Sequence, residues 1–160
     1  MKTWMIIVIV ALGQLSSYSQ STDLQQYVNW NLPTWVNNSF KENELDKSYE
    51  FVYFINPFLL RGDFNGDNSP DICVLIKEKI SGKRGIAIFH GASNDYYIMG
   101  AGQSFENGGD DFAWLGVWMV KRSKALDKQK GEGIYLAKPE SASGLVYWDG
   151  QKYRWKQMGD

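Results

Sequence analysis

Asp63, Asn65, Asp67 and Asp71 occupy positions 1, 3, 5 and 9 of one short loop, Asp63-Phe64-Asn65-Gly66-Asp67-Asn68-Ser69-Pro70-Asp71. With the backbone carbonyl of Ser69 at position 7, this is the spacing by which a loop wraps a hard, oxygen-seeking cation, and the expected ligand is Ca²⁺. Three carboxylates in so short a stretch repel one another unless a cation lies between them. Gly66 and Asn68 are residue types that accept left-handed backbone, which a loop curling around a central point requires. An EF-hand would need flanking helices and a Glu at position 12. Here position 12 is Val74, inside the apolar stretch Ile72-Cys73-Val74-Leu75-Ile76, so the loop is expected to lead into a strand. Asn, Asp and Gly also dominate ordinary turns, but the regular ligand spacing favours the metal.

The loop with its flanking residues, Gly62 to Asp71 followed by an apolar strand, resembles the calcium loop of FG-GAP or VCBS-type repeats. Members of that group are commonly extracellular β-propeller blades in which the loop joins two strands. The resemblance implies Asp63, Asn65, Asp67 and Asp71 as ligands. It covers about twenty residues in a single copy, and a propeller needs several blades of roughly forty residues, so it supports the loop and not a propeller. The full-length pattern, ending in Tyr147-Trp148-Asp149-Gly150-Gln151-Lys152-Tyr153-Arg154-Trp155, also resembles small secreted bacterial proteins, which implies export and no particular activity.

Other residues offer less chemistry. Glu106-Asn107-Gly108-Gly109-Asp110-Asp111 gathers carboxylates in a glycine-rich loop without ligand spacing, which reads as a solvated turn. His90 is the only histidine, so a zinc site of several histidines is excluded, and a Ser or Cys nucleophile would have this one base to find. Beside Gly91 at a strand end, it reads as a surface residue. No Gly-x-Ser-x-Gly elbow is present. The lone Cys73 excludes an internal disulfide and reads as a buried, inert thiol. Arg61-Gly62-Asp63 spells a tripeptide of integrin ligands, but the metal loop already claims Asp63. Tyr147, Trp148, Tyr153 and Trp155 cluster large rings on one hairpin, either as cross-strand packing or as a surface for a partner.

Two function classes follow. The favoured one is an exported, non-catalytic calcium-binding domain that recognises a protein or glycan partner. The alternative is a small exported hydrolase using carboxylates from Glu106, Asp110 or Asp111, one of them with a raised pKa.

The elements that must position these residues are also legible. Lys2, the apolar run 4–12 and the small residues Ser17 and Ser19 predict a signal peptide over 1–19 and one exported domain over 20–160, periplasmic or extracellular. The run is too short to span a bilayer comfortably, so no membrane span is expected after cleavage. Of 160 residues, 17 are Lys or Arg and 18 Asp or Glu, a formal net charge of −1 that does not suggest nucleic acid as a partner. Thr22-Asp23-Leu24-Gln25 fits a capping box opening a short N-terminal helix, which Pro33 ends or follows with a second turn holding Trp35 and Val36. Beyond the polar stretch 37–47, period-two segments at 50–55, 71–79, 84–90, 96–99, 114–121, 133–138, 143–148 and 152–157 predict strands. The expected hairpin turns are Ser81-Gly82-Lys83 and the two-residue Asp149-Gly150. The expected fold is α+β, mainly β: a curled antiparallel sheet of about seven or eight short strands with a short N-terminal helix.

Overall fold

The computed structural model describes residues 26–27, 30–122 and 126–159. The signal segment expected at 1–19 and the capping box at 22–25 lie outside the described residues. The chain divides into two units at Pro33. In the first, the described residues Gln26, Tyr27, Trp30 and Asn31 are helical, and Asn31 Nδ2 donates to the Tyr27 carbonyl (2.8 Å).

The second unit opens with helix α1 (Thr34–Glu42) and the single turn α2 (Leu45–Ser48). Helix α1 grows out of the stretch that reads as merely polar. Val36 and Phe40, four residues apart, stack on one face and are buried, and this burial outweighs the weak helix propensity of Asn37, Asn38 and Ser39. Asn43 Nδ2 donates to the Ser39 carbonyl (2.9 Å) at the end of the helix, and Glu44 takes left-handed backbone (φ 57°).

Nine strands follow among the described residues: β1 (Tyr49–Phe51), β2 (Leu59–Gly62), β3 (Asp71–Glu78), β4 (Arg84–Phe89), β5 (Tyr96–Gly100), β6 (Val117–Lys121), β7 (Lys130–Lys138), β8 (Ala142–Trp148) and β9 (Tyr153–Gly159). They divide into two antiparallel sheets where one curled sheet is expected. In the first, β3 is central, with β4 and then β5 on one side; β1 and β2 share its other edge, β2 along Asp71 to Val74 and β1 along Ile76 to Glu78. The second sheet is the meander β6-β7-β8-β9. The strand expected at 50–55 stops at Phe51, because the chain leaves the sheet over 52–58 and returns as β2. Trp118 Nε1 anchors that excursion by donating to the Pro57 carbonyl (2.7 Å). The strand expected at 114–121 starts only at Val117, after the turn that holds Phe112 and Leu115 in the core.

Alternation on β3 and β4 builds three layers. Cys73, Leu75, Ile86 and Ile88 face the second sheet and pack with Trp118, Ile134, Leu136 and Val146. Phe89, on the opposite face, meets Phe40 of α1 at 6.4 Å between ring centres, and Phe40 meets Phe51 at 4.2 Å. All six residues from Asp71 to Ile76 are therefore buried, the pattern of a strand covered on both faces. The β3–β4 turn closes over Gly82 (φ 73°), whose amide donates to the Glu78 carbonyl (2.9 Å). At the last hairpin Trp148 pairs with Tyr153, so the connection has four residues, 149–152, and not two. Asp149 explains the difference: its Oδ1 accepts the amides of Gln151 (2.9 Å) and Lys152 (3.0 Å), building the longer turn around a side chain.

Candidate functional site

The 63–71 loop joins β2 to β3. Gly66 (φ 82°) and Asn68 (φ 68°) take the left-handed backbone expected of them, and the chain curls so that polar side chains turn inward. Asp63 Oδ1 accepts the amides of Gly66 (2.7 Å) and Asp67 (3.1 Å), and its Oδ2 accepts that of Asn68 (3.1 Å). Asn65 Oδ1 shares the Asp67 amide (3.0 Å), so oxygens of Asp63 and Asn65 lie around the same N–H. Asn65 Nδ2 donates to Asp67 Oδ2 (2.9 Å), and the Ser69 amide donates to Asp67 Oδ1 (2.7 Å). The Asn65 amide holds the Asp67 carboxyl below the usual carboxylate range.

Asp71 sits apart from this exposed group. It is fully buried, accepting the Phe64 amide on Oδ2 (2.8 Å) and the Gly91 amide on Oδ1 (2.9 Å). Burial raises its pKa despite both bonds. Among the described residues no group of three His, Cys, Asp or Glu side chains is placed to hold a metal ion. The donor set nevertheless fits Ca²⁺ in kind, being all oxygen. An ionised carboxylate has about four lone-pair sites; Asp67 and Asp71 each accept two N–H donors and Asp63 accepts three.

The loop is also fastened to the second sheet. Glu132 of β7 accepts the Asp63 amide on Oε2 (3.0 Å) and donates its own amide to the Asp63 carbonyl (2.6 Å). Gly66 and Gly131 approach so closely that a Cβ on either would overlap the other's backbone. Spacing gave no hint of Glu132 or Gly131, because Glu132 lies 69 residues from Asp63.

His90 corrects the surface reading. It is 3% exposed, with Nε2 2.8 Å from the Tyr153 hydroxyl and Nδ1 3.3 Å from Asn65 Nδ2. Because an amide N–H can only donate, Nδ1 is the acceptor and Nε2–H faces the hydroxyl. Rings of Tyr97 (5.0 Å), Trp148 (5.5 Å) and Tyr153 (5.9 Å) surround the imidazole. Burial raises the pKa of both tyrosines, so both hydroxyls stay protonated. The two sheets thus meet at a polar contact between the loop and an aromatic box.

The chain matches no family model, no curated protein and no solved structure. The likeness to FG-GAP or VCBS loops therefore rests on the loop residues themselves.

The aromatic hairpin divides between its two faces. Trp148 and Tyr153 turn inward to His90, and Trp155 packs against Trp114 (6.1 Å, 88°) and Phe105 (6.5 Å). Tyr147, paired with Arg154, is on the other face of the sheet. The four rings therefore do not form one surface.

Each carboxylate of the 106–111 loop holds a piece of backbone or a cation. Glu106 accepts the Trp155 amide (2.8 Å) and lies 3.6 Å from Arg154 Nη1. Asp110 pairs with Lys83, which lowers its pKa, the opposite of what a catalytic acid requires. Asp111 Oδ1 accepts the amides of Arg84 (3.0 Å) and Ala113 (2.9 Å). Cys73 lies in the core, where burial pushes its thiol well above the ordinary value, as an inert thiol requires. Arg61 is exposed on β2, while the amide and carbonyl of Asp63 are both tied to Glu132.

Proposed function

We propose that this chain is an exported, non-catalytic calcium-binding domain that recognises a protein or glycan partner. The observation that carries the reading is the curl of the 63–71 loop, with oxygens of Asp63 and Asn65 around the Asp67 amide and left-handed turns at Gly66 and Asn68. Asp63, Asn65, Asp67, the Ser69 carbonyl and Asp71 would hold the ion. Calcium would neutralise the exposed carboxylates and make the loop rigid, and through Glu132 and His90 it would strengthen the junction between the sheets. Export is consistent with calcium concentrations that fill modest-affinity loops.

The test is thermal unfolding of the purified protein in calcium and in chelator, repeated with Asp67→Ala. Calcium at about 100 times its dissociation constant adds about 2.7 kcal/mol, so the wild type should melt higher in calcium and the variant should lose that rise. Superimposable curves for the wild type in the two buffers would reject calcium as the ligand.

A further inference from the structure

A second polar and aromatic site lies at the far end of β7 from the loop. The first residues of β7, Lys130 to Glu132, abut the loop, whereas its last residue, Lys138, lines a cleft of about 340 Å³ with Asn107, Trp114, Ser143, Trp155 and Gln157. That volume is within the range of small-molecule sites, about 300–1,000 Å³.

The walls of the cleft are set by the fold. Trp155 lies across β8 because Gly144 leaves the space; a Cβ there would overlap the indole. Trp114 stands nearly perpendicular to it, 6.1 Å between ring centres at 88°. Both indole N–H groups are engaged within the protein, Trp114 Nε1 with the Gly108 carbonyl (3.2 Å) and Trp155 Nε1 with Gln157 Oε1 (3.1 Å). What the rings offer a ligand is therefore apolar face and edge, held at a fixed angle. Asn107 and Ser143 add amide and hydroxyl groups around them, while the Gln157 amide, bonded through Nε2 to the Gly159 carbonyl (3.1 Å), closes the wall. Lys138 is the only charged residue in the lining, is exposed, and forms no ion pair among the described residues.

These features select a ligand class. A corner of two aromatic rings can take a cation, but the Lys138 ammonium repels one. A ligand with flat C–H faces, many hydroxyls and a carboxylate satisfies the rings, the neutral polar groups and the ammonium together. The geometry points to this cleft as a binding site for an acidic saccharide, a short stretch of uronate-bearing glycan whose carboxylate pairs with Lys138 and whose ring stacks on Trp114 and Trp155. The inference rests on the recognition half of the function proposed above and is independent of its calcium.

The experiment is titration of the purified protein with tetragalacturonate, an alginate tetramer and a hyaluronan tetramer, followed by tryptophan fluorescence and calorimetry, in calcium and in chelator. The methyl ester of tetragalacturonate is the charge-neutral control. Saturable binding of at least one acid is expected, with the uncharged ester weaker where tetragalacturonate binds. Lys138→Gln should weaken binding about tenfold, the loss of one charge-assisted contact. Trp114→Ala should abolish binding, and Gly144→Ala should do so by displacing Trp155 while leaving every lining side chain present. Far-ultraviolet circular dichroism separates these losses from unfolding, and Lys138→Gln, at an exposed position, remains folded in any case. Binding to none of the three acids would overturn the inference, and so would binding unchanged by Lys138→Gln. Binding that persists in chelator, with no effect of calcium on melting, would overturn the calcium reading alone.

Discussion

The hydroxyl of Tyr153 is the partner of His90 Nε2 in a place with almost no access to water. Replacing Tyr153 by Phe keeps the ring contacts and strands one buried polar nitrogen, which costs about 1–3 kcal/mol. Urea unfolding of Tyr153→Phe should therefore show a lower midpoint at unchanged slope; an unchanged midpoint would mean that the bond contributes nothing. At this scale the sequence was informative where residues are close along the chain. Gly66 and Asn68 took the backbone that their types allow, and Cys73 was placed in the core by its neighbours Ile72 and Val74. The burial of His90 is not legible locally, because its partners, Asn65 and Tyr153, come from distant segments and nothing in His90-Gly91 signals that they converge.

The loop and the start of β7 form one joint between elements. Gly131 takes left-handed backbone (φ 64°), and a Cβ there would collide with the Asp63 carbonyl and the Gly66 amide. Gly131→Ala should cost more than the roughly 1 kcal/mol of an ordinary Gly change. Its amide hydrogen exchange should rise at Phe64, Asp67 and Glu132 before it rises in β4. Uniform protection in the variant would show that the joint carries no local strain.

The last hairpin gives a prediction in pH. Bonding to the Arg154 guanidinium first, then to the Lys152 and Gln151 amides, holds the Asp149 carboxyl well below its usual value. A lowered folded-state pKa stabilises above the unfolded value of about 3.9 and loses that contribution as pH falls towards the folded one. The melting temperatures of wild type and Asp149→Asn should differ at neutral pH and converge in acid; a constant difference would assign the effect to the turn shape alone. Period-two patterning made most of these strands legible. It overran at 52–55 and 114–116, where Pro57 and the Phe112 turn impose tertiary demands that alternation does not record.

For the molecule as a whole, the least legible feature is the outer helix. Val36 and Phe40 are too few to mark an amphipathic stripe, yet Phe40 covers Phe51 and Phe89 and seals the second face of β3. Phe40→Ala should cost about 3–5 kcal/mol, seen as a lower urea midpoint and as binding of a dye specific for exposed apolar surface. Near-native stability would mean that α1 is only an appendage. The antiparallel, mainly β class was readable from pattern, whereas the division into two sheets was not, because no strand signals which neighbour it will face.

The division into two sheets follows the order in which the chain is made. Every strand of the first sheet lies between Tyr49 and Gly100, and every strand of the second between Val117 and Gly159. During synthesis the first sheet can therefore complete its hydrogen bonding before the second exists, leaving Cys73, Leu75, Ile86 and Ile88 without the cover that β6 to β9 later provide. For that interval the growing chain presents an apolar face the size of a sheet, and it is then that the protein most needs a chaperone, or speed.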